Sequence, residues 1–277
     1  MLKYSKYLHA KYIQIVSLQS MVLRYKNVPV FYEDEGHGSP VILLHGFLEN
    51  STMWHAVKAE LLQNHRVVSV DLLGHGQTGC LGYIHTMQDM ADAVLAVVND
   101  LKLSNYSLIG HSMGGYVALV IAQRFPERVL GLCLMNSTYH ADDAQRKQIR
   151  KRANIMVQSN YEAVVRMSFV NLFSPESRST FKIELEEALN EALQIPLQGY
   201  IAAQEGMMVR SDMYSFFKAL DAKKLIIIGA KDPVIHRQRI LKETIGSDIV
   251  CRELSNGHMS HIENKSELTY ILKHFIE

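Results

Sequence analysis

The sequence predicts an α/β fold: a mostly parallel sheet flanked by helices and interrupted by an inserted helical cap. Three observations carry that prediction. Short apolar runs of the kind that form strands buried on both faces alternate with helical patterns along most of the chain. One long stretch, residues 139–220, loses the strand-like runs and is dominated by charge and helix formers. A glycine-rich segment, Gly110 to Gly115, lies where a strand pattern ends and a helical pattern begins.

The elements follow in order. Val22–Tyr25 and Val28–Tyr32 are β-prone runs on either side of Lys26-Asn27, which predicts an opening hairpin. Glu35 to Pro40 (EGHGSP) is a turn cluster. Val41–Leu44, Arg66–Val70, Tyr106–Ile109 and Val129–Met135 have the character of buried parallel strands. Helical patterns span Met87–Leu101 and Gly114–Phe125, the second stopped by Pro126, which has no amide hydrogen to continue a helix. Beyond the insertion, strands resume at Lys224–Gly229 and Asp248–Leu254, and Lys265–Ile276 closes the chain as a helix. The organisation is therefore an N-terminal extension (1–20), a first part of the core (21–138), a helical cap (139–220) and a second part of the core (221–277). The cap splits one core and adds no independent domain.

Composition sets the outer bounds. The chain has 277 residues, 48% of them hydrophobic and 21% charged, enough for one substantial core. Lys plus Arg number 29 against 28 for Asp plus Glu, a formal net charge of +1, so no bulk field favours nucleic acid or an anionic membrane surface. Residues 1–20 scatter Lys3, Lys6 and Lys11 among Tyr and Ile without a continuous apolar stretch or a small-residue cleavage site. They read as an amphipathic extension, or as a start upstream of Met21, and not as a signal peptide. Tyr106–Ala122 is apolar but carries His111, Ser112 and three glycines, so no membrane span is expected. Cys80, Cys133 and Cys251 are far apart and lack metal-ligand spacing, which suits a reducing, cytoplasmic location.

Gly110-His111-Ser112-Met113-Gly114 matches G-x-S-x-G, with a strand pattern before it and a helix pattern after it. A sharp strand-to-helix turn needs small residues because its backbones pass closely. Ser112 is thereby lifted clear of the sheet edge, at a helix N-terminus whose free amides favour developing negative charge. A serine hydroxyl is a weak nucleophile until a base takes its proton, and the base needs a carboxylate to hold its tautomer. Of thirteen histidines, His258 lies just after the last strand run, where loops at strand C-terminal ends share one crevice with Ser112. His261 is the rival, but it sits nearer the closing helix, where a histidine caps or packs. Asp232 follows the run ending at Gly229 and precedes Pro233, again past a strand end. The alternative acid position, after Val129–Met135, is occupied by Asn136, which cannot carry the charge.

The backbone amides of Phe47 and Met113 are assigned to an oxyanion hole, Phe47 from His45-Gly46-Phe47 directly after a strand and Met113 from the residue after the serine. His45 reads as a brace for its loop in preference to a second base. Asp71 to Gly76 (DLLGHG) has phosphate-cradle glycine spacing but no following Lys-Ser/Thr, so it is a tight loop beside the site.

Taken together, His45 to Phe47, Asp71 to Gly76, GHSMGG at Gly110–Gly115, GAKDP at Gly229–Pro233 and GHMSH at Gly257–His261 resemble the α/β-hydrolase superfamily, specifically its lidded serine esterase, lipase and C–C hydrolase branch. The resemblance runs from about Met21 to the C-terminus. It implies an eight-stranded, mostly parallel sheet, a catalytic triad of Ser112, Asp232 and His258, no organic cofactor and no metal, and a helical cap over the pocket. Serine at the nucleophile position differs from the aspartate of the haloalkane dehalogenase and epoxide hydrolase relatives. The expected activity is cleavage of a small to medium carboxylic ester through an acyl-enzyme; C–C bond hydrolysis and thioester hydrolysis use the same residues, and ligand reception with vestigial hydrolysis is a further alternative. The expected partner is a small ester-like molecule, with no nucleic acid; oligomeric state, a homodimer included, is left open. Met167, Phe169, Phe173, Met207, Met208, Phe216 and Phe217 supply apolar surface in the cap, for which ordinary helix packing is the default reading of each.

Overall fold

A computed structural model describes residues 20–277, so the reading of the N-terminal segment lies outside the described residues apart from Ser20. The strands are β1 (Ser20–Tyr25), β2 (Val28–Gly36), β3 (Ser39–Leu44), β4 (His65–Val70), β5 (Tyr106–His111), β6 (Val129–Met135), β7 (Lys223–Gly229) and β8 (Val250–Leu254). The helices are α1 (His55–Leu61), α2 (Met87–Asp100), α3 (Met113–Arg124), α4 (Ala144–Ser159), α5 (Tyr161–Val170), α6 (Ser177–Thr180), α7 (Lys182–Ala192), α8 (Leu197–Met208), α9 (Tyr214–Ala219), α10 (Arg237–Thr244), α11 (Ser260–Glu263) and α12 (Lys265–Ile276).

One eight-stranded sheet has the order β1-β2-β4-β3-β5-β6-β7-β8. β1 with β2 and β2 with β4 are antiparallel, and every pair from β4 across to β8 is parallel. The opening hairpin turns at Lys26 and Asn27, whose φ values of 46° and 65° suit the two-residue turn that matches strand twist. The turn cluster is tighter than its composition predicts, because β2 runs on through Gly36 and β3 begins at Ser39.

Alternation along the central strands separates two cores. Ile42, Leu44, Val68, Leu108 and Leu132 pack with Met90, Val94, Val117 and Ile121 of α2 and α3 on one face. Val41, Leu43, Val67, Ile109 and Cys133 pack with Val57, Leu61, Leu268 and Leu272 of α1 and α12 on the other. Covered on both faces, these strands bury consecutive side chains, each contributing about 1.5–3 kcal/mol, which is why they read as unbroken apolar runs. α2 starts at a capping box in which the Thr86 hydroxyl accepts from the Asp89 amide at 3.0 Å and Asp89 accepts from the Thr86 amide at 3.2 Å. The helices α1 and α10 were not anticipated; each is too short for its period to stand out.

Between β6 and β7 the chain forms α4 to α9. A separate apolar cluster there joins Val157, Val165, Phe169, Phe173, Leu189 and Tyr200 to Leu48 and Met259 from loops beside the sheet. The helical insertion is thus packed onto the edge where the parallel strands end. After β4 the chain crosses back over β3 to reach β5, so the loops that follow β3 and β5 meet at that edge, the usual crevice of such sheets. Among the described residues, no helix is long and apolar enough to cross a membrane.

Candidate active site

Ser112 forms the turn between β5 and α3, with a φ of 48° that L-residues rarely adopt. Its neighbours enforce that conformation. A Cβ at Gly110 would lie 2.4 Å from the Gly114 carbonyl oxygen, and one at Gly114 would lie 2.2 Å from that of Leu44. The Ser112 amide donates to the Met135 carbonyl at 2.9 Å, and the Ser137 hydroxyl donates to the Ser112 carbonyl at 2.7 Å. The turn is therefore clamped to β6, and the serine stays partly exposed at the sheet edge.

The structure brings Ser112, Asp232 and His258 together. His258, between β8 and α11, has Nε2 2.9 Å from Ser112 Oγ and Nδ1 2.8 Å from Asp232 Oδ2. With an ionised carboxylate at Nδ1, that nitrogen carries the proton and Nε2 is left to accept from the serine hydroxyl. Asp232, in the loop between β7 and α10, takes the amides of Val234 and Ile235 on Oδ1 at 2.7 and 3.2 Å. Burial alone would raise its carboxyl, but His258, Asn136 and the Val234 amide outweigh it and hold the group below the usual carboxylate range.

Three supporting residues escaped the sequence reading. Asn136, set aside as an acid, donates through Nδ2 to Asp232 Oδ2 at 3.0 Å and to the Gly257 carbonyl at 3.2 Å. Glu263 accepts the amides of Ser174, Gly257 and Met259 at 2.9, 3.1 and 3.1 Å, tying the loop of His258 to the insertion. Glu49 accepts the Gly46 amide at 2.7 Å and lies 2.6 Å from His111 Nδ1. The signal in sequence was a polar residue near each motif, which alone does not tell a buried acceptor from a solvated loop residue.

The Glu49 cluster adjoins Ser112, and Glu49 and His111 line the same cavity. His111 Nε2 is 3.0 Å from the His258 carbonyl oxygen, so both of its ring nitrogens face acceptors and only the imidazolium satisfies both. Burial opposes that charge, yet Glu49 and the His258 carbonyl raise the His111 pKa above its ordinary value. Burial likewise works against ionised Glu49, but His111 and then His261 override it and hold the carboxyl at about 2. His261, the rival base, is 3.6 Å from Glu49 Oε1, and burial pushes it down to about 4. Glu49, His111 and His261 are the group among the described residues whose ligand atoms approach closely enough for a metal ion. The contact of His111 with Glu49 Oε2, which also takes the Gly46 amide, is that of a hydrogen-bonded ion pair, whereas His261 at 3.6 Å makes no hydrogen bond to Glu49.

On the other flank, the Phe47 and Met113 amides find no acceptor among the described residues, whereas that of Gly46 is taken by Glu49. Met113 opens α3, where a helix leaves its first amides unpaired. His45 accepts the Leu72 amide on Nε2 at 2.8 Å and contacts the Gly46 carbonyl through Nδ1 at 2.7 Å, so it bridges two loops as a neutral ring, its pKa lowered by burial. Asp71 takes the amides of Ser51 and Gln77, each at 2.8 Å, and shapes the loop that ends at Gly76.

Ser112 and His258 open into a cavity of about 340 Å³ whose lining includes Phe47, Tyr116, Tyr200 and Met207. Of the methionines and phenylalanines singled out in the insertion, Met207 alone lines it. Phe169 and Phe173 fill the core of the insertion, Phe217 stacks on Tyr139, and Met167 is exposed.

Residues 39–265 match the model of the family described as the alpha/beta hydrolase fold. An (E)-2-((N-methylformamido)methylene)succinate hydrolase of Acinetobacter baylyi is 24% identical over 216 residues, 75% of this chain and 78% of that relative. The AB hydrolase superfamily protein YisY of Bacillus subtilis is 28% identical over 266 residues, 90% of this chain and 96% of its own. The solved structure of a thermophilic esterase from Thermogutta terrifontis superposes with a TM-score of 0.84 at 28% identity, over 93% of this chain and 97% of that one.

Proposed function

The chain belongs to the α/β-hydrolase fold family and is a hydrolase, and we propose that it cleaves a carboxylic ester through an acyl-enzyme, with Ser112 as nucleophile, His258 as base and Asp232 as acid. The observation that carries this reading is the unbroken hydrogen-bond chain from Asp232 Oδ2 through His258 to Ser112 Oγ. The likeness to an esterase at 28% identity supports the choice of bond.

His258 Nε2 takes the hydroxyl proton as Ser112 Oγ bonds to the ester carbonyl carbon. The carbonyl oxygen gains the electron pair and is met by the amides of Phe47 and Met113. Collapse breaks the ester C–O bond, and the leaving oxygen departs as an alcohol with the proton that His258 returns. Water then gives a proton to His258 and its oxygen to the acyl carbon, the bond to Ser112 breaks, and the serine recovers its proton. Asp232 stays ionised throughout, orienting the ring and stabilising the imidazolium. The helices between β6 and β7 act as the cap that closes the pocket.

The test is labelling with a fluorophosphonate, peptide mapping of the adduct, and turnover of para-nitrophenyl esters by wild type and Ser112→Ala. The adduct is expected on Ser112 and turnover is expected to vanish in the variant with its fold retained. Undiminished turnover by Ser112→Ala would refute the mechanism. Thioesters and a vinylogous diketone run beside the esters assign the bond, and product in excess of one equivalent separates an enzyme from a receptor.

A further inference from the structure

The lining of the cavity carries a charge imbalance. Arg146, Ile149 and Arg150 of α4 all line the cavity that Ser112 opens into. Arg150 is matched: Nε donates to Asp142 Oδ2 and Nη1 to Gln204 Oε1, each at 2.6 Å. The same Asp142 also pairs with Arg210 at 2.8 Å, so one buried carboxylate serves two guanidinium groups. Arg146 has no carboxylate within ion-pair distance among the described residues, and its one side-chain hydrogen bond runs from Nη2 to the Val234 carbonyl at 2.9 Å. Asp143, next to it in the chain, is exposed and uses Oδ1 on the Arg146 amide as the cap of α4. Glu49, the one acid among the residues that line the cavity, is buried and uses Oε2 on both His111 and the Gly46 amide.

A guanidinium has five donors in a planar fork that matches a carboxylate, and at the partly buried Arg146 that pairing is less weakened by solvent than at a fully open surface. Val234 lies two residues beyond Asp232, and Arg146 and Val234 stand where the Ser112 cavity adjoins a second, smaller pocket lined by His140, Asp142 and Arg239, so the free donors of Arg146 are within the lining that Ser112 shares. Resting on the reading of Ser112 as nucleophile, we propose that the substrate is a small ester carrying a second, ionised carboxylate, and that Arg146 receives that carboxylate.

The test compares monoethyl glutarate with ethyl pentanoate, which share chain length and differ in the terminal carboxylate, by proton release. Wild type is expected to prefer the half-ester. Arg146→Met is expected to lower the ratio of the two kcat/KM values by about 10- to 100-fold, the worth of hydrogen bonds to a charged group, with Arg146→Lys between the two. The preference should also follow a carboxylate placed on the alcohol side if that is where it binds, so the acetate ester of a hydroxy acid is run in parallel against its neutral isostere. Absence of preference in both pairs overturns the proposal. So does an equal loss on charged and neutral esters in Arg146→Met, the result if the bond to Val234 merely fastens α4 to the Asp232 loop. Calorimetric binding of monoethyl glutarate to Ser112→Ala needs no turnover: weakening by the added Arg146→Met supports the anion site even if no ester is cleaved, whereas ester turnover with binding indifferent to Arg146 sinks this proposal and leaves the mechanism standing.

Discussion

Glu49→Gln isolates the charge of the buried pair of Glu49 and His111 beside Ser112, because the new amide oxygen still accepts from Gly46 while the negative charge disappears. In the folded protein the Glu49 carboxyl is held at about 2 against an ordinary 4.5. Each pH unit between those values corresponds to about 1.4 kcal/mol, so ionised Glu49 contributes about 3 kcal/mol at neutral pH. The rise of His111 reports the same attraction from the other partner and is not added to it. The sign follows from the direction: a depressed carboxyl stabilises fully above its unfolded value and loses that contribution as pH falls from about 4.5 through 2. Denaturant unfolding at pH 7 should therefore show a loss of about 3 kcal/mol in Glu49→Gln, in line with breaking a buried pair, and the gap should close as pH approaches 2. Nitrogen NMR of the histidines gives a second reading: His111 should be an imidazolium at pH 7 in wild type and a neutral ring in the variant. A loss below about 1 kcal/mol, a gap independent of pH, or a neutral His111 in wild type would refute the reasoning.

Two further substitutions test the geometry from other sides. In Asp232→Asn the amide oxygen stays with the Val234 and Ile235 amides and the N–H turns to His258 Nδ1, so the ring is driven toward the tautomer that cannot accept from Ser112; ester turnover should fall by about four orders of magnitude with the melting temperature little changed from wild type, and near-wild-type kcat would exclude Asp232 as the acid. Ser112→Gly removes the Cβ that makes a φ of 48° costly, a strain of order 1–3 kcal/mol, partly offset by the about 0.5–1 kcal/mol of chain entropy that glycine adds. Both Ser112→Gly and Ser112→Ala should be inactive, but the glycine variant should unfold at higher denaturant; equal midpoints would show that the turn is not strained.

What the sequence made legible and what it hid divide along a physical line. The strands were readable because β3, β5 and β6 are covered on both faces and must be apolar at successive positions. The opening hairpin was readable because Lys26-Asn27 stands between two β-prone runs, and the α3 boundary because Pro126 cannot continue a helix. Ser112 stood out for a steric reason, since backbone lies 2.4 and 2.2 Å from where Cβ atoms at Gly110 and Gly114 would be, and no other residue type fits. Asp232 and His258 were reachable by topology, as each follows a strand end on the edge that Ser112 shares.

Glu49, Asn136, Glu263 and Arg146 follow no such rule. Each acts on a group distant in sequence: Glu49 on His111, Asn136 on Asp232, Glu263 on Ser174, and Arg146 on Val234. Their side chains are ordinary for surface loops and charged helices, so neither periodicity nor a local turn requirement marks them. What distinguishes them is burial, or the lack of a partner, and both arise only when loops from β3, β5, β6, β7 and β8 converge on one edge. The three residues of the proposed triad are constrained locally, by a turn or a strand end, whereas the residues bonded to them or to their loops are constrained by the assembled fold. Glu49 shows the difference most sharply: nothing in His45 to Asn50 (HGFLEN) marks it, yet in the structure it is buried, accepts the amide of Gly46 and faces His111. A carboxylate in that position is tolerable only because the imidazolium faces it, so the histidine of G-x-S-x-G and the acid after β3 must be explained as a pair, although neither one announces the other in the chain.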